Sequence, residues 1–335
     1  MVRTGTFRLA VATAIAVSWF AMSWLAMSWS VVPARAQDFP ARPITIIVGV
    51  APGGITDVST RIYAEAVAKS TGQKIVVENR PVGGGTVAAV AVQNAQPDGY
   101  TLLTITGSAH AAIPAMQPVA YDPVKGFTPV TLLFRMPALL VVPQDSPAKS
   151  VADLLEIGRK RPGGLSFGSA GAGTPAHLMA ARIGLGTKTP IEFIQYRGGA
   201  PLMADLITGR IDFAFASYTS ARANLDGGKL RALAVDADTR LPATPSVPTL
   251  IEVGLARERI ANWFGLVGPA GMPVAVVARL NAEFVKAASD PGVVKRMADS
   301  GTLIATTSPQ EMGAMMRDEA KNMAELVQAL GLQVK

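Results

Sequence analysis

Four short stretches of this chain combine glycine with small hydroxyl, acidic or basic residues: APGGITD (Ala51–Asp57), TGSAH (Thr106–His110), GSAGAGT (Gly168–Thr174) and YRGGAP (Tyr196–Pro201). Each stands after an apolar, strand-like run and leads into or toward a helix-like pattern. Such a junction offers unpaired backbone N–H groups at the positive end of a helix dipole, which suits an anion. Glycine lets the backbone approach a ligand closely. Any one of these loops alone is equally well read as a connection that needs glycine to turn. Four together suggest a shared ligand.

The charged residues nearby are few. Asp57 is expected to cap the helix that follows it, with contact to a ligand amine as the alternative. Arg61 falls one turn into that helix, on a different face from Val58 and Ile62, and is expected at the surface. Arg197 ends a strand and is the better candidate for a carboxylate fork, with surface ion pairing as the other use. His110 is expected to donate one hydrogen bond to the ligand, and His177 to line a helix face.

Catalysis is poorly supported. There is no Cys and there are two His, so a thiol nucleophile and a three-His zinc site are excluded, and H-E-x-x-H is absent. FGSAG carries Phe167 where a G-x-S-x-G elbow needs its first glycine. A triad built from Ser108 or Ser169 with His110 or His177 is the remaining hydrolytic arrangement. GSAGAG has the reverse of the G-x-G-x-x-G order, and no P-loop pattern occurs. No metal or cofactor is expected.

The elements that position these loops alternate. ITIIVGV (Ile44–Val50) reads as a strand buried on both faces. DVSTRIYAEAVAKSTG reads as a helix stopped by Gly72. KIVVEN is a strand, RPVGGG a turn, TVAAVAVQNA a helix of small residues and YTLLTIT a strand, so the pattern is βαβαβ and a parallel sheet is expected. A second alternation follows. ALLVVP is a strand, and SVAD opens a helix with a capping-box pattern. LSFGSA is a strand, then a helix capped by Thr174 with Pro175 at its first position. IEFIQY, IDFAFAS and LRALAVDA are strands, with a helix stopped by Gly209 between the first two. WFGLVGP and three helices close the chain, the last opened by SPQE at Ser308.

The fold class is therefore α/β, with two units. The first has too few helices to cover both faces of its sheet, so the C-terminal helices are expected to return to it. Residues 37–139 with 262–335 would form one lobe and residues 140–261 the other. The chain would cross twice, near Leu139–Pro143 and near Trp263–Gly268, which makes a hinge and a cleft.

The chain has 335 residues and a formal charge of +7, with about 16% of residues charged. Residues 1–36 are a separate object: Arg3 and Arg8 precede a long apolar run, and Ala34 and Ala36 supply an A-x-A cleavage site before Gln37. A cleaved signal peptide and export to the periplasm are expected; an uncleaved membrane anchor is the alternative. Removal takes away Arg3, Arg8 and Arg35 and no acid, so the charge falls to +4. No block of Lys and Arg suggests nucleic acid. No coiled coil or apolar repeat suggests assembly, so a monomer is expected.

The stretch from FPARPITIIVGVAPGGITDVSTR to QPDGYTLL resembles the N-terminal signature of the Bug proteins, the periplasmic solute-binding components of tripartite tricarboxylate transporters. FTPVTLL, GSAGAGTPAHL, YRGGAPLMADLITGRIDFAFAS and VPTLIEVG follow in that family's order. The resemblance implies a two-lobed Venus-flytrap fold of the type II periplasmic binding proteins, each lobe a mostly parallel sheet flanked by helices. It also implies capture of a small carboxylated metabolite and delivery to the transporter's membrane subunits. Carried onto this chain, the contacts would come from Gly53, Gly54, Thr56 and Asp57, from Thr106, Gly107 and Ser108, from Ser169, Gly173 and Thr174, and from Tyr196 and Gly198. The chain departs from the family's habit at three places: Gly49-Val50 stands for Pro-Phe, Val82 for Gly, and Ile113-Pro114 for Asn-Pro. A ligand-presenting sensor and a cleft hydrolase are the rival functions.

Overall fold

The computed structural model describes residues 39–169, 171, 174–255, 260 and 262–332. The expected signal peptide with its Ala36 junction, and Gly173, lie outside them. Both sheets lie within the unit Arg42–Lys335.

The first alternation runs β1 (Ile44–Val48), α1 (Ile55–Thr71), β2 (Ile75–Asn79), α2 (Thr86–Gln93), β3 (Thr101–Thr106), α3 (Ile113–Met116) and β4 (Phe127–Arg135). The second runs β5 (Ala138–Pro143), α4 (Val151–Lys160), β6 (Leu165–Ser169), α5 (Pro175–Thr187), β7 (Ile191–Gln195), α6 (Gly199–Ile207), β8 (Phe213–Ser217), α7 (Tyr218–Asp226) and β9 (Leu230–Val235). The chain then returns through β10 (Trp263–Pro269), α8 (Val274–Ala288), α9 (Pro291–Asp299), β11 (Leu303–Ile304) and α10 (Pro309–Leu330).

Two sheets result. The first has the order β11-β4-β10-β3-β1-β2, and the second β7-β6-β8-β5-β9. β1 is parallel to β2 and β3, and β6 is parallel to β7 and β8. In each sheet one long strand runs against its neighbours: β10 between β3 and β4, and β5 between β8 and β9. These are the strands that follow the two crossings. Just outside them, the Met136 amide donates to the Asn262 carbonyl (2.9 Å), so the two crossing segments are tied side by side.

Burial follows from strand position. Every residue of β10, in the middle of its sheet, is buried. β2 and β7 are edge strands, and no residue of either is fully buried. The capping boxes expected at Ser150 and Ser308 both form, and Gly72 ends α1 in the left-handed conformation.

The sequence reading passed over β4, α7 and β11. β4 carries Pro129 inside it, and proline belongs at sheet edges or irregularities. Its register with β10 shifts there, opposite the Leu266–Val267 step, and again at Leu133, which faces no β10 residue. The Leu133 carbonyl is instead taken by the Tyr63 hydroxyl (2.7 Å) and the Ala305 amide (3.2 Å). The last helix also does more than cover the first sheet. Met323, Leu326 and Val327 of α10 are buried together with Phe167, Leu178 and Met179 from the second sheet's layer, and with Ala111 and Ala112 from the first.

The Tyr63 side chain is fully buried, so removal of its hydroxyl leaves part of the bulged Leu133 carbonyl unmet. Tyr63→Phe is expected to lower stability by about 1–2 kcal/mol, read as a drop in the urea midpoint with an unchanged m-value. An unchanged midpoint would show that the Ala305 amide suffices.

Candidate functional site

The register places all the glycine loops on one side of the crossings. In the first sheet Trp263 pairs with Arg135 and Phe264 with Thr106, so β10 enters at the carboxyl end of β3. In the second sheet Ala138 pairs with Ser217, so β5 enters at the carboxyl end of β8. The carboxyl ends of both parallel sets therefore flank the tied crossings, where ligands of open α/β sheets sit.

Capping separates the helices. α4, α5, α7, α9 and α10 each have a side chain that accepts at least one first-turn amide: Ser150, Thr174, Ser217, Asp290 and Ser308. α1, α2 and α6 start at Gly54, Gly85 and Gly198, with no side-chain cap. These three follow β1, β2 and β7, so each sets first-turn amides without a side-chain cap at a strand carboxyl end; α8, which starts at Pro273 after β10, is also uncapped.

Asp57 differs from expectation. The N-cap of α1 is Gly54, and Asp57 is the third helical residue. Its carboxylate folds back onto the Gly53 amide (2.9 Å) and also accepts from Arg61 Nε (2.9 Å) and Asn79 Nδ2 (2.9 Å). Burial is the largest single influence on its pKa and pushes it up. The Arg61, Gly53 and Asn79 contacts together outweigh burial and hold the pKa below the usual carboxylate value. Asp57 is thus a fully partnered brace that shapes the loop, and it takes the Gly53 N–H for itself. Arg61 is half-exposed, as expected, and reaches both Asp57 and Asn79 Oδ1 (3.0 Å).

The other expected contacts divide. Thr56 is buried, and its carbonyl accepts from the Thr60 hydroxyl (2.7 Å). The Thr106 hydroxyl accepts the Ala109 amide (3.1 Å). Gly107 and Ser108 line a small cavity that also touches Pro175 and Leu178 of α5. This brings the loop after β3 against the helix after β6. Ser169 is buried, with its hydroxyl on the Gly171 carbonyl (2.8 Å). The Thr174 hydroxyl caps α5 through the His177 amide (3.3 Å) and donates to the Gly171 carbonyl (2.9 Å). Ser169 and Thr174 therefore build their loop from within. The Tyr196 hydroxyl is spent on Asp205 (2.9 Å). Gly198, at φ +113°, has open space where a Cβ would stand. Arg197 beside it is exposed.

His110 is not presented as a ligand donor. Its ring is fully buried, with Nε2 2.7 Å from the Met316 carbonyl of α10 and the Trp263 ring 5.7 Å away. Burial lowers its pKa, against the raising effect of the Met316 and Pro123 carbonyls. His177 is also buried, and its ring packs 4.5 Å from Phe193.

One group was missed. Gly83–Gly85, read from sequence only as a turn, lies beside the first loop: Gly49, Gly84, Gly85, Thr106 and Ala109 line one small cavity. A Cβ on Gly49 would lie 2.5 Å from Gly85 Cα, so the two loops touch through glycine alone. The signal was present as three consecutive glycines at a strand's carboxyl end.

The profile of the tripartite tricarboxylate transporter family receptor, TctC, matches residues 59–332. BugT of Bordetella pertussis is 31% identical over 305 residues, covering 90% of this chain and 94% of that one. Two solved structures from Rhodopseudomonas palustris are similar. MatC with bound malate is 32% identical, with a TM-score of 0.68, over 86% of this chain and all of that one. A second protein, with adipate, is 31% identical, with a TM-score of 0.71, over 88% of this chain and 99% of that one.

Asp57→Asn removes the charge that three donors serve. A loss of about 1–3 kcal/mol at pH 7 is expected. A carboxyl held below its unfolded pKa contributes above the unfolded value and loses that contribution as pH falls. The gap between wild type and variant should therefore shrink below about pH 4. A gap that stays the same from pH 7 to pH 3 would show that charge is not the reason.

Proposed function

The chain belongs to the tripartite tricarboxylate transporter receptor family, and from that premise we propose that it captures a small carboxylate between its lobes and delivers it to the transporter's membrane subunits. The observation that carries this reading is the set of three glycine-started helices, α1, α2 and α6, without side-chain caps at strand carboxyl ends. Dipole attraction at each end contributes only about 0.3–1 kcal/mol. Direct amide hydrogen bonds to a charged oxygen contribute about 1.5–3 kcal/mol each, so a few of them from two lobes reach useful affinity. Relatives that hold malate and adipate support a ligand with two carboxylates, one for each lobe.

The lobes in this reading are 37–139 with 262–335, and 140–261. The ligand contacts are Gly54, the amides of Ile55 and Thr56, Gly85, Gly107, Ser108 and Gly198, with Gly173 in the same loop series. Asp57, Ser169, Thr174 and Tyr196 hold the loops. The Met136–Asn262 pair is the pivot about which closure occurs. Export follows cleavage after Ala36, and the monomer is the working form. This reading makes the chain a binding protein and not an enzyme; the contact of His110 Nε2 with the Met316 carbonyl, and not with Ser108, supports it.

Isothermal titration against malate, adipate and a wider panel of mono-, di- and tricarboxylates tests the reading. At least one dicarboxylate is expected to bind with a Kd below about 0.1 mM. No carboxylate binding below about 1 mM would contradict it. Mass spectrometry of the exported protein should place its first residue at Gln37.

A further inference from the structure

Glu319 of α10 stands where the loop after β3 meets α5. The Trp263 indole N–H, at the first residue of β10, donates to its carboxylate. Glu319 also walls the cavity of about 10 Å³, room for at most one water, that holds Gly107 and Ser108 on one side and Pro175 and Leu178 on the other. The same indole is wedged against Gly107, since a Cβ there would lie 3.0 Å from Trp263 Nε1. One carboxyl therefore reaches the loop expected to hold the ligand in two ways, through the cavity and through the indole.

The surroundings favour the neutral acid. Burial pushes the Glu319 pKa up to about 7, against the lowering pull of the Trp263 N–H and the Arg135 guanidinium. Arg135 ends β4, beside the crossing. On the far side Arg182 of α5 and Asp318 of α10 share a second groove with Glu319. His110 lies behind the Trp263 ring, with burial lowering its pKa.

We propose that Glu319 is a positioning residue that couples carboxylate capture to uptake of one proton. The inference rests on the carboxylate reading above. An anion brought to Gly107 and Ser108 meets an ionised Glu319 as a like charge across a shared, poorly solvated cavity, which opposes binding. A proton taken from solvent onto the carboxyl oxygen not engaged by Trp263 removes that repulsion. Pro175 and Leu178, which already stand over the cavity, keep water from Glu319 and favour the same neutral state. Linkage then requires that affinity fall as pH rises through 7, and that ligand binding raise the proton affinity of Glu319.

Trp263 reports on its own partner, because Trp19, Trp24 and Trp29 leave with residues 1–36. The exported protein is titrated by Trp emission from pH 5.5 to 9 without ligand, and a transition near pH 7 is expected that Glu319→Gln abolishes. Malate and adipate are then titrated at pH 6.5 and 8.5 in buffers of different ionisation heat. Wild type should bind about twentyfold more weakly at pH 8.5 and take up close to one proton there, while Glu319→Gln binds equally at both. The wild-type proton count stands even if the variant folds poorly. Equal wild-type affinity at both pH values, no proton uptake, or an emission transition that survives in Glu319→Gln would overturn the proposal. If neither dicarboxylate binds at any pH, the transport reading fails and the coupling fails with it, and the emission transition still shows separately whether Glu319 titrates.

Discussion

The pairing of the two crossing segments, fixed by the Met136 amide on the Asn262 carbonyl, is the constraint from which the rest of the architecture follows. A chain that leaves one sheet and returns must insert the returning strand somewhere. Here β10 and β5 each enter the interior of a sheet, against the direction of their neighbours. Each must then begin at the carboxyl ends of the parallel strands beside it. That places the loops after β1, β2, β3, β6 and β7 around the tied crossings, without any further device. The buried Trp263 sits at this junction and touches Gly107, His110 and Glu319.

Within that frame the proposed site depends on withholding side chains. α4, α9 and α10 close their first turns with Ser or Asp, whereas α1, α2 and α6 begin at glycine. The polar residues near the loops are mostly occupied by the loops themselves. Asp57 takes Gly53, Arg61 and Asn79; Thr174 takes His177 and Gly171; Tyr196 takes Asp205. Such internal bonding fixes the amides in place before a ligand arrives, so less ordering cost falls on binding.

Sequence alone made the α/β class, the two alternations and most helix starts visible, because β-branched runs, glycine stops and the Ser-x-x-Asp and Ser-x-x-Glu boxes are local signals. β4 was hidden by Pro129, whose strand tolerates it only through a register shift against β10, a tertiary fact. At the site the glycines were legible and the polar side chains were not. Asp57 looked like a cap because Asp favours that position, but the N-cap is Gly54, three residues earlier, and the carboxylate turns back. His110 looked like a ligand donor because its partner, the Met316 carbonyl, lies 206 residues away in sequence. Gly83–Gly85 looked like a turn because nothing local announces that Gly49 must pass against Gly85.

The central claim is that the ligand is held by neutral backbone amides at glycine-started helices on both lobes. A high-resolution crystal structure of the protein with bound malate or adipate tests it most directly. The account predicts carboxylate oxygens about 2.7–3.1 Å from amides at the starts of α1 and α6, with the Asp57 contacts to Gly53, Arg61 and Asn79 intact. A carboxylate gripped instead by Arg61 or Arg197, or seated away from the carboxyl ends of the strands, would contradict it.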